Sequence, residues 1–341
     1  MRSLHDISGV TTFALVGRFN TVRRNLFPMA NRDIVIDPGA FVDRGDLARR
    51  TEQTVLENSN VTETLEAASS PLVFISSNRS WSDEYLAGLS QRDWVTTTGA
   101  GYDAFPLDQF RERDVRFTNQ PGNNAPQVAE HAIAMLLSIT RRLFQFRTQQ
   151  QHREWKRISE GMTHHSGDVC CVVGLGHIGE AIAKRLGAFG MTVRGVKRSA
   201  SNYSGNADSV YPPTSLHDAL SEAGVVMLSV PLTDETHHMI GKSELDQTRS
   251  DAVIVNVGRG PVLETEAIVA AIEDRSVRAA CLDVTDPEPL PSDSPLWTYE
   301  NIFITAHSAS RSDKRTGQFL DEFLPAFERW CTSDQLEHRI V

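Results

Sequence analysis

From residue 33 onward, short apolar runs alternate with segments of helical period. Asp33–Asp37 (DIVID), Pro71–Ser77 (PLVFISS) and Trp94–Gly101 (WVTTTGAG) read as strands. Between them, residues 43–53 (DRGDLARRTEQ) and 82–93 (SDEYLAGLSQRD) read as helices. A strand–helix–strand rhythm predicts a parallel sheet. A second series begins after FTNQPGNNAPQ at residues 117–127. Val128–Gln151 reads as one long helix with an apolar stripe. DVCCVVGLG, MTVRGV, GVVMLSVP, DAVIVNVG, AACLDV and NIFITAH then follow as strands, the first five each leading into a helical or loop segment. The first thirty residues, SGVTTFALVGRF among them, resist placement.

Composition narrows the class. The 341 residues suffice for two domains with real cores. A net charge of −10 argues against nonspecific binding to nucleic acid or anionic lipid. The four cysteines, Cys170, Cys171, Cys281 and Cys331, form no CxxC pair and read as buried thiols of a cytoplasmic protein. No apolar stretch approaches the roughly 20 residues that span a membrane. The N-terminal apolar run is broken by Arg18, unlike a secretory leader. His164, His165, His237 and His238 read as surface residues, and no carboxylate cluster accompanies them, so no metal site is expected.

Gly174, Gly176 and Gly179 form G-x-G-x-x-G between an apolar strand and a good helix. The first glycine allows the tight turn, the second lets backbone approach a pyrophosphate, and the third lets helix and strand pack closely. The helix start, at His177 and Ile178, offers free N–H groups to phosphates. About twenty residues on, where a carboxylate would take the ribose hydroxyl of NAD, stand Lys197, Arg198 and Ser199. No carboxylate occurs in residues 191–206. Two cations and a hydroxyl would attract a 2′-phosphate, so the motif reads as NADP(H)-preferring, with NAD(H) as the other cofactor it could take.

Three ionisable residues stand at strand ends: Arg259 in VNVGRGPVLETEAI, Glu288 in LDVTDPEPLP and His307 in ITAHSA. Ligands of open α/β sheets bind outside such ends. Together with TTGAGYDAF, TNQPGNNAPQVAEHAIAMLL and VPLTDETHHMI, these stretches make the sequence resemble the D-isomer-specific 2-hydroxyacid dehydrogenase family over about Pro71 to Glu337.

The resemblance implies an α/β protein with a Rossmann-type cofactor domain, residues 121–309, inserted in a smaller flavodoxin-like substrate domain of residues 1–120 and 310–341. It implies a homodimer formed through the cofactor domains and the long helix, and a cleft hinged near Asn119–Pro121 and Ala309. Arg259, Glu288 and His307 match the catalytic arginine, glutamate and histidine. Arg259 would hold and polarise a 2-oxo acid, His307 would give the proton, and Glu288 would orient the ring and favour its protonated form. The backbone N–H groups of Ala100 and Gly101 would grip the substrate carboxylate. Asp283 would take the nicotinamide carboxamide, Val230 and Pro231 would cover the adenosine, and Thr236 and Val257 would complete the cofactor site. Ala306, Thr285 and Glu264 depart from the family's usual proline, phenylalanine and Asp/Asn, which bears on pocket packing. Side-chain selection falls to Ser77–Trp81 and the neighbourhood of Tyr102.

Other branches fit less well. Formate dehydrogenases carry glutamine where Glu288 stands, and the tail after Glu337 leaves no room for a regulatory domain of the phosphoglycerate dehydrogenase kind. A non-enzymatic corepressor would keep the same triad, but no disordered interaction tail is visible. The expected activity is reduction of a small 2-oxo acid to a D-2-hydroxyacid.

Overall fold

The computed structural model describes residues 32–341 apart from Ala200, Asn202, Glu337 and His338. The readings of the first thirty residues and of the Arg18 break lie outside the described residues. The chain builds two parallel sheets. The first contains β1 (Ile34–Ile36), β2 (Val55–Glu57), β3 (Val73–Ser76), β4 (Trp94–Thr97) and β5 (Arg116–Thr118), in the order β2-β1-β3-β4-β5. That order is the flavodoxin-like one. Helices α1 (Arg44–Thr51), α2 (Val61–Ala67) and α3 (Leu107–Glu112) connect it.

The second sheet contains β6 (Val169–Val173), β7 (Thr192–Val196), β8 (Ser209–Tyr211), β9 (Val225–Leu228), β10 (Val253–Asn256), β11 (Ala279–Leu282) and β12 (Ile302–Ile304). Its order, β12-β11-β10-β9-β6-β7-β8, is the Rossmann 3-2-1-4-5-6 arrangement with one further strand. The order reverses between β6 and β9, so the glycine turn after β6 opens onto the switch point. The helices are α4 (Ala125–Thr140), α5 (Leu143–Gln151), α6 (His177–Ala188), α7 (Leu216–Leu220), α8 (Lys242–Leu245) and α9 (Thr265–Glu273). Both faces of each sheet carry an apolar core, which is what parallel strands require.

The last helix, α10 (Arg315–Ser333), returns to the first sheet. Phe319, Phe323 and Phe327 recur every four residues and stack on one another along its buried face. Trp94 of β4 meets Phe323 at 5.5 Å and Trp330 at 5.6 Å.

The structure corrects three sequence readings and adds two edge strands. Val128–Gln151 is not one helix: α4 ends at Thr140, Arg142 turns left-handed at φ 56°, and α5 restarts. Arg141 and Arg142 hold that bend by donating to the carbonyls of Thr163 and Gly161. Residues 82–93 form a short 3-10 turn at Asp83–Gly88 where a helix was expected. It presses on α2 so closely that a Cβ on Gly88 would lie 2.6 Å from Leu65 Cβ. The edge strands β2 and β8 carry too little buried apolar sequence to show in the pattern. His165 is buried, its Nδ1 3.3 Å from Asp168 Oδ2, whereas His164, His237 and His238 are exposed. Burial pushes the His165 imidazole down, towards its neutral form.

Cys170, Cys171 and Cys281 are buried and Cys331 is half-buried; all four are free thiols. Burial pushes the Cys170 thiol up to about 12. Among the described residues, no helix is long and apolar enough to cross a membrane, and no three His, Cys, Asp or Glu side chains gather as a metal site.

Candidate active site

The loops at the carboxyl ends of both sheets face one cleft. Phe41 follows β1, Ser77–Arg79 follow β3, and Gly99–Gly101 follow β4. From the other sheet come Val257 and Arg259 after β10, Asp283 after β11 and His307 after β12. Ile178 enters from the start of α6. Ala100, Gly101, Ile178, Val257, Arg259, Asp283 and His307 therefore line a common wall, though up to about two hundred residues separate them.

Glu288 joins through a hydrogen bond. His307 Nδ1 lies 2.6 Å from Glu288 Oε1. Both side chains are only partly exposed. His307 is held in the left-handed region at φ 45°. Its N–H donates to Asp283 O at 2.7 Å and Thr305 O at 2.8 Å. Such a backbone persists only where its surroundings over-determine it. Asp283 is the anchor: Oδ1 accepts from Thr305 Oγ1 at 2.6 Å and Ser308 N at 2.8 Å, and Oδ2 accepts from Ala309 N at 3.1 Å. One lone-pair position on Oδ2 remains for a donor from the cleft.

Arg259 Nε donates to Asp103 Oδ2 at 2.8 Å, and Asn78 Nδ2 donates to the same oxygen at 3.2 Å. The guanidinium presses on the β4 loop: a Cβ on Gly101 would lie 2.3 Å from Arg259 Nη2. Glycine there lets a cation and a backbone N–H converge on one small volume. Arg79 bridges the halves of the cleft, its Nη2 2.9 Å from His307 O and 3.5 Å from Glu288 Oε1.

The glycine turn has the shape its sequence demands. Gly174 sits at φ 100°, with Val230 against it. A Cβ on Gly179 would lie 1.9 Å from Gly174 O. A Cβ on Gly176 would meet nothing within 4 Å. That free space lies at the N-terminus of α6, beside the exposed His177, and fits a bound pyrophosphate. Pro231 O accepts from Thr236 Oγ1 at 2.6 Å, which ties the loop after β9.

Beyond β7, Lys197 Nζ donates to Leu175 O at 3.1 Å, tying the strand end to the glycine turn. Arg198 and Ser199 are exposed. A carboxylate does reach this corner from α6, where sequence order hid it. Glu180 accepts from Asn206 N at 2.9 Å and Nδ2 at 3.0 Å. Burial alone would raise this carboxyl, but the Asn206 and Tyr203 donors and nearby Lys197 hold it below the usual range.

Sequence reasoning did not name Phe41, Arg79, Asp103, Arg311 or Arg315 as lining or ordering the cleft. Arg79 and Asp103 fall within or beside the stretches expected to select the substrate. Arg311 and Arg315 follow His307 closely in sequence, but nothing local tells which way they face.

The chain is similar to known proteins. Residues 133–309 match the family model described as D-isomer specific 2-hydroxyacid dehydrogenase, NAD binding domain. The chain is 33% identical over 278 residues to glyoxylate/hydroxypyruvate reductase B of Enterobacter sp. (strain 638), covering 78% of this chain and 85% of that one. It is 33% identical over 245 residues to a glyoxylate reductase of Korarchaeum cryptofilum (strain OPF8), covering 69% and 73%. A D-isomer specific 2-hydroxyacid dehydrogenase family protein from Aeromonas salmonicida subsp. salmonicida A449 superposes with a TM-score of 0.78 at 28% identity, covering 92% of this chain and 99% of that one.

Proposed function

The chain belongs to the D-isomer specific 2-hydroxyacid dehydrogenase family, and from that premise we propose that it reduces a small 2-oxo acid to the D-2-hydroxyacid with NADPH as preferred reductant. By kinship it is an NAD(P)-dependent oxidoreductase of 2-oxo acids and 2-hydroxyacids. The observation that carries the mechanism is the 2.6 Å bond between His307 Nδ1 and Glu288 Oε1, beside a cleft that Arg259 shares.

Reduction adds a hydride to the carbonyl carbon and a proton to its oxygen. Bound NADPH supplies the hydride. Arg259 neutralises the substrate carboxylate and polarises the carbonyl, helped by the N–H groups of Ala100 and Gly101. Glu288 fixes the His307 ring through Nδ1 and stabilises positive charge on it, which leaves Nε2 as proton donor to the forming alkoxide.

For the cofactor, the turn at Gly174, Gly176 and Gly179 and the N–H groups of His177 and Ile178 take the pyrophosphate. Lys197, Arg198 and Ser199 take the 2′-phosphate. Val230, Pro231, Thr236 and Val257 pack the adenosine and nicotinamide ends, and Asp283 takes the carboxamide. The enzyme works as a homodimer of two-domain subunits, residues 1–120 with 310–341 and residues 121–309, hinged at Asn119–Pro121 and Ala309. Leu143 and Phe144 on α5, with Trp155 beyond it, are exposed apolar residues that suit a dimer contact.

Steady-state reduction of glyoxylate with each cofactor is the test. NADPH should be favoured about ten- to a hundredfold in kcat/KM at low salt, each tenfold being about 1.4 kcal/mol. Added salt should erode that advantage. Lys197→Asp should reverse it, because the new carboxylate accepts a ribose hydroxyl and repels the phosphate. Equal use of the two cofactors at low salt would end the NADPH assignment.

A further inference from the structure

The cleft holds more positive charge than a simple 2-oxo acid needs. Four arginines line it: Arg79, Arg259, Arg311 and Arg315. Arg259 has Asp103, and Arg79 leans on Glu288 and the His307 carbonyl. Arg311 and Arg315 are different. Each guanidinium lies over the ring of Phe41, at 4.3 Å and 5.1 Å from its centroid. Neither forms an ion pair with a carboxylate among the described residues. Phe41 itself is fixed in the left-handed region at φ 54°, and its carbonyl accepts from Thr316 Oγ1 at 3.1 Å. The aromatic ring thus presents two like charges side by side with no counter-ion among the described residues. Burial and the neighbouring Arg311 and Arg79 push the Arg315 guanidinium's pKa down, so the arrangement works against its own charge.

Two of these cations border one short loop. A Cβ on Gly101 would lie 2.3 Å from Arg259 Nη2, and one on Gly99 would lie 3.9 Å from Arg315 Nη2. The two guanidiniums therefore flank opposite ends of one three-residue loop. Consecutive Cα atoms are about 3.8 Å apart, so Gly99 and Gly101 are separated by no more than about 7 Å. A small monocarboxylate occupies Arg259 and the loop N–H groups and leaves the far pair uncompensated.

We propose that the preferred substrate is a short 2-oxo acid with a second anionic group, carboxylate or phosphate, which Arg311 and Arg315 hold against Phe41 while Arg259 holds the reacting end. This rests on the reading of the protein as a 2-oxo acid reductase. The second group is joined to the carbonyl by a short chain, because Arg259 and Arg315 border the same three-residue loop. Arg79 stands at the junction of the two ends and adds to the attraction.

The test compares matched substrates at low ionic strength. 2-Oxoglutarate is set against 2-oxohexanoate, of similar length but uncharged at its far end. 3-Phosphohydroxypyruvate is set against hydroxypyruvate, and glyoxylate, which has no far end, is the reference. The charged member of at least one pair should have kcat/KM at least about tenfold higher, and the favoured pair tells carboxylate from phosphate. Arg311→Gln and Arg315→Gln should each raise KM for that charged substrate about tenfold and reduce its ratio to glyoxylate, with the loss concentrated in KM. Salt should weaken the wild-type preference and leave the variants nearly unaffected. Arg311 is exposed, so Arg311→Gln decides the matter should Arg315→Gln not fold. Uncharged members preferred by the wild type, or charged and uncharged members impaired by the same factor in Arg311→Gln, would overturn the inference. Glyoxylate turned over without preference for a second charge sinks this inference alone; no turnover of any 2-oxo acid sinks the reductase reading beneath it as well.

Discussion

At the scale of single residues, the second and third glycines of the turn separate binding from folding. Gly179 faces Gly174 O at 1.9 Å from a would-be Cβ, so Gly179→Ala must push strand and helix apart. Gly176 faces free space at φ −90°, a conformation open to any residue. Gly176→Ala should therefore leave the thermal midpoint of the ligand-free protein almost unchanged while raising the Kd for NADPH at least about tenfold. Gly179→Ala should lower the midpoint itself, and calorimetry with cofactor titration reads both. The histidine assignment is tested the same way. His307→Ala should lower kcat for reduction by about 10²–10⁴-fold, the usual worth of a general acid, with a smaller effect on KM. Near wild-type kcat in that variant would remove His307 from the chemistry. The sequence named Gly176, Gly179 and His307 because each sits in a short contiguous motif. It could not name Asp103 or Glu180, whose partners lie far along the chain or on another element.

At the scale of elements, α10 shows how a local pattern acquires its place. Its phenylalanines recur every four residues along one face, and the helix packs on the first sheet through Trp94, whose ring meets Phe323 and Trp330. The end of α10 is tied down by charge. Asp334, its left-handed cap, accepts from Arg116 Nη1 at 2.5 Å and Nη2 at 2.8 Å and also pairs with Arg92. The hydrogen bonds from Arg116 hold its carboxyl well below the usual carboxylate range. A depressed folded-state pKa means the stabilisation is complete above about pH 4 and is lost as pH falls further. Asp334→Ala should cost about 1–3 kcal/mol at neutral pH, because Arg116 is left largely buried without its partner. Its penalty should shrink in strongly acidic denaturation experiments; a penalty independent of pH would show that the pair contributes only packing. The break between α4 and α5 teaches the converse. Residues 128–151 carry enough helical pattern for one rod, and only tertiary hydrogen bonds from Arg141 and Arg142 bend it.

For the whole molecule, the site exists only where two sheets meet. Arg79 reaches from the first sheet to His307 and Glu288 of the second, and Asp103 reaches Arg259, so contacts between the two sheets' loops order the cleft. Small-angle scattering should give a mass near twice the 37.8 kDa of one chain, and a radius of gyration that falls when NADPH and oxalate bind together. A monomer, or a radius that ignores ligand, would remove the dimer or the closure respectively. The sequence by itself determined the parallel α/β class, the cofactor turn and the identity of the catalytic candidates. Those features depend on side-chain period, on glycine's missing Cβ and on strand-end motifs, all of which are local. Only the tertiary structure decided where the long helix bends, which aromatic side chains seat α10 on the first sheet, and that Arg311 and Arg315 share the cleft with Arg259. Each of those depends on which distant surfaces meet, and a cation's partner, or its lack of one, is a property of that meeting and not of the residues on either side in the chain.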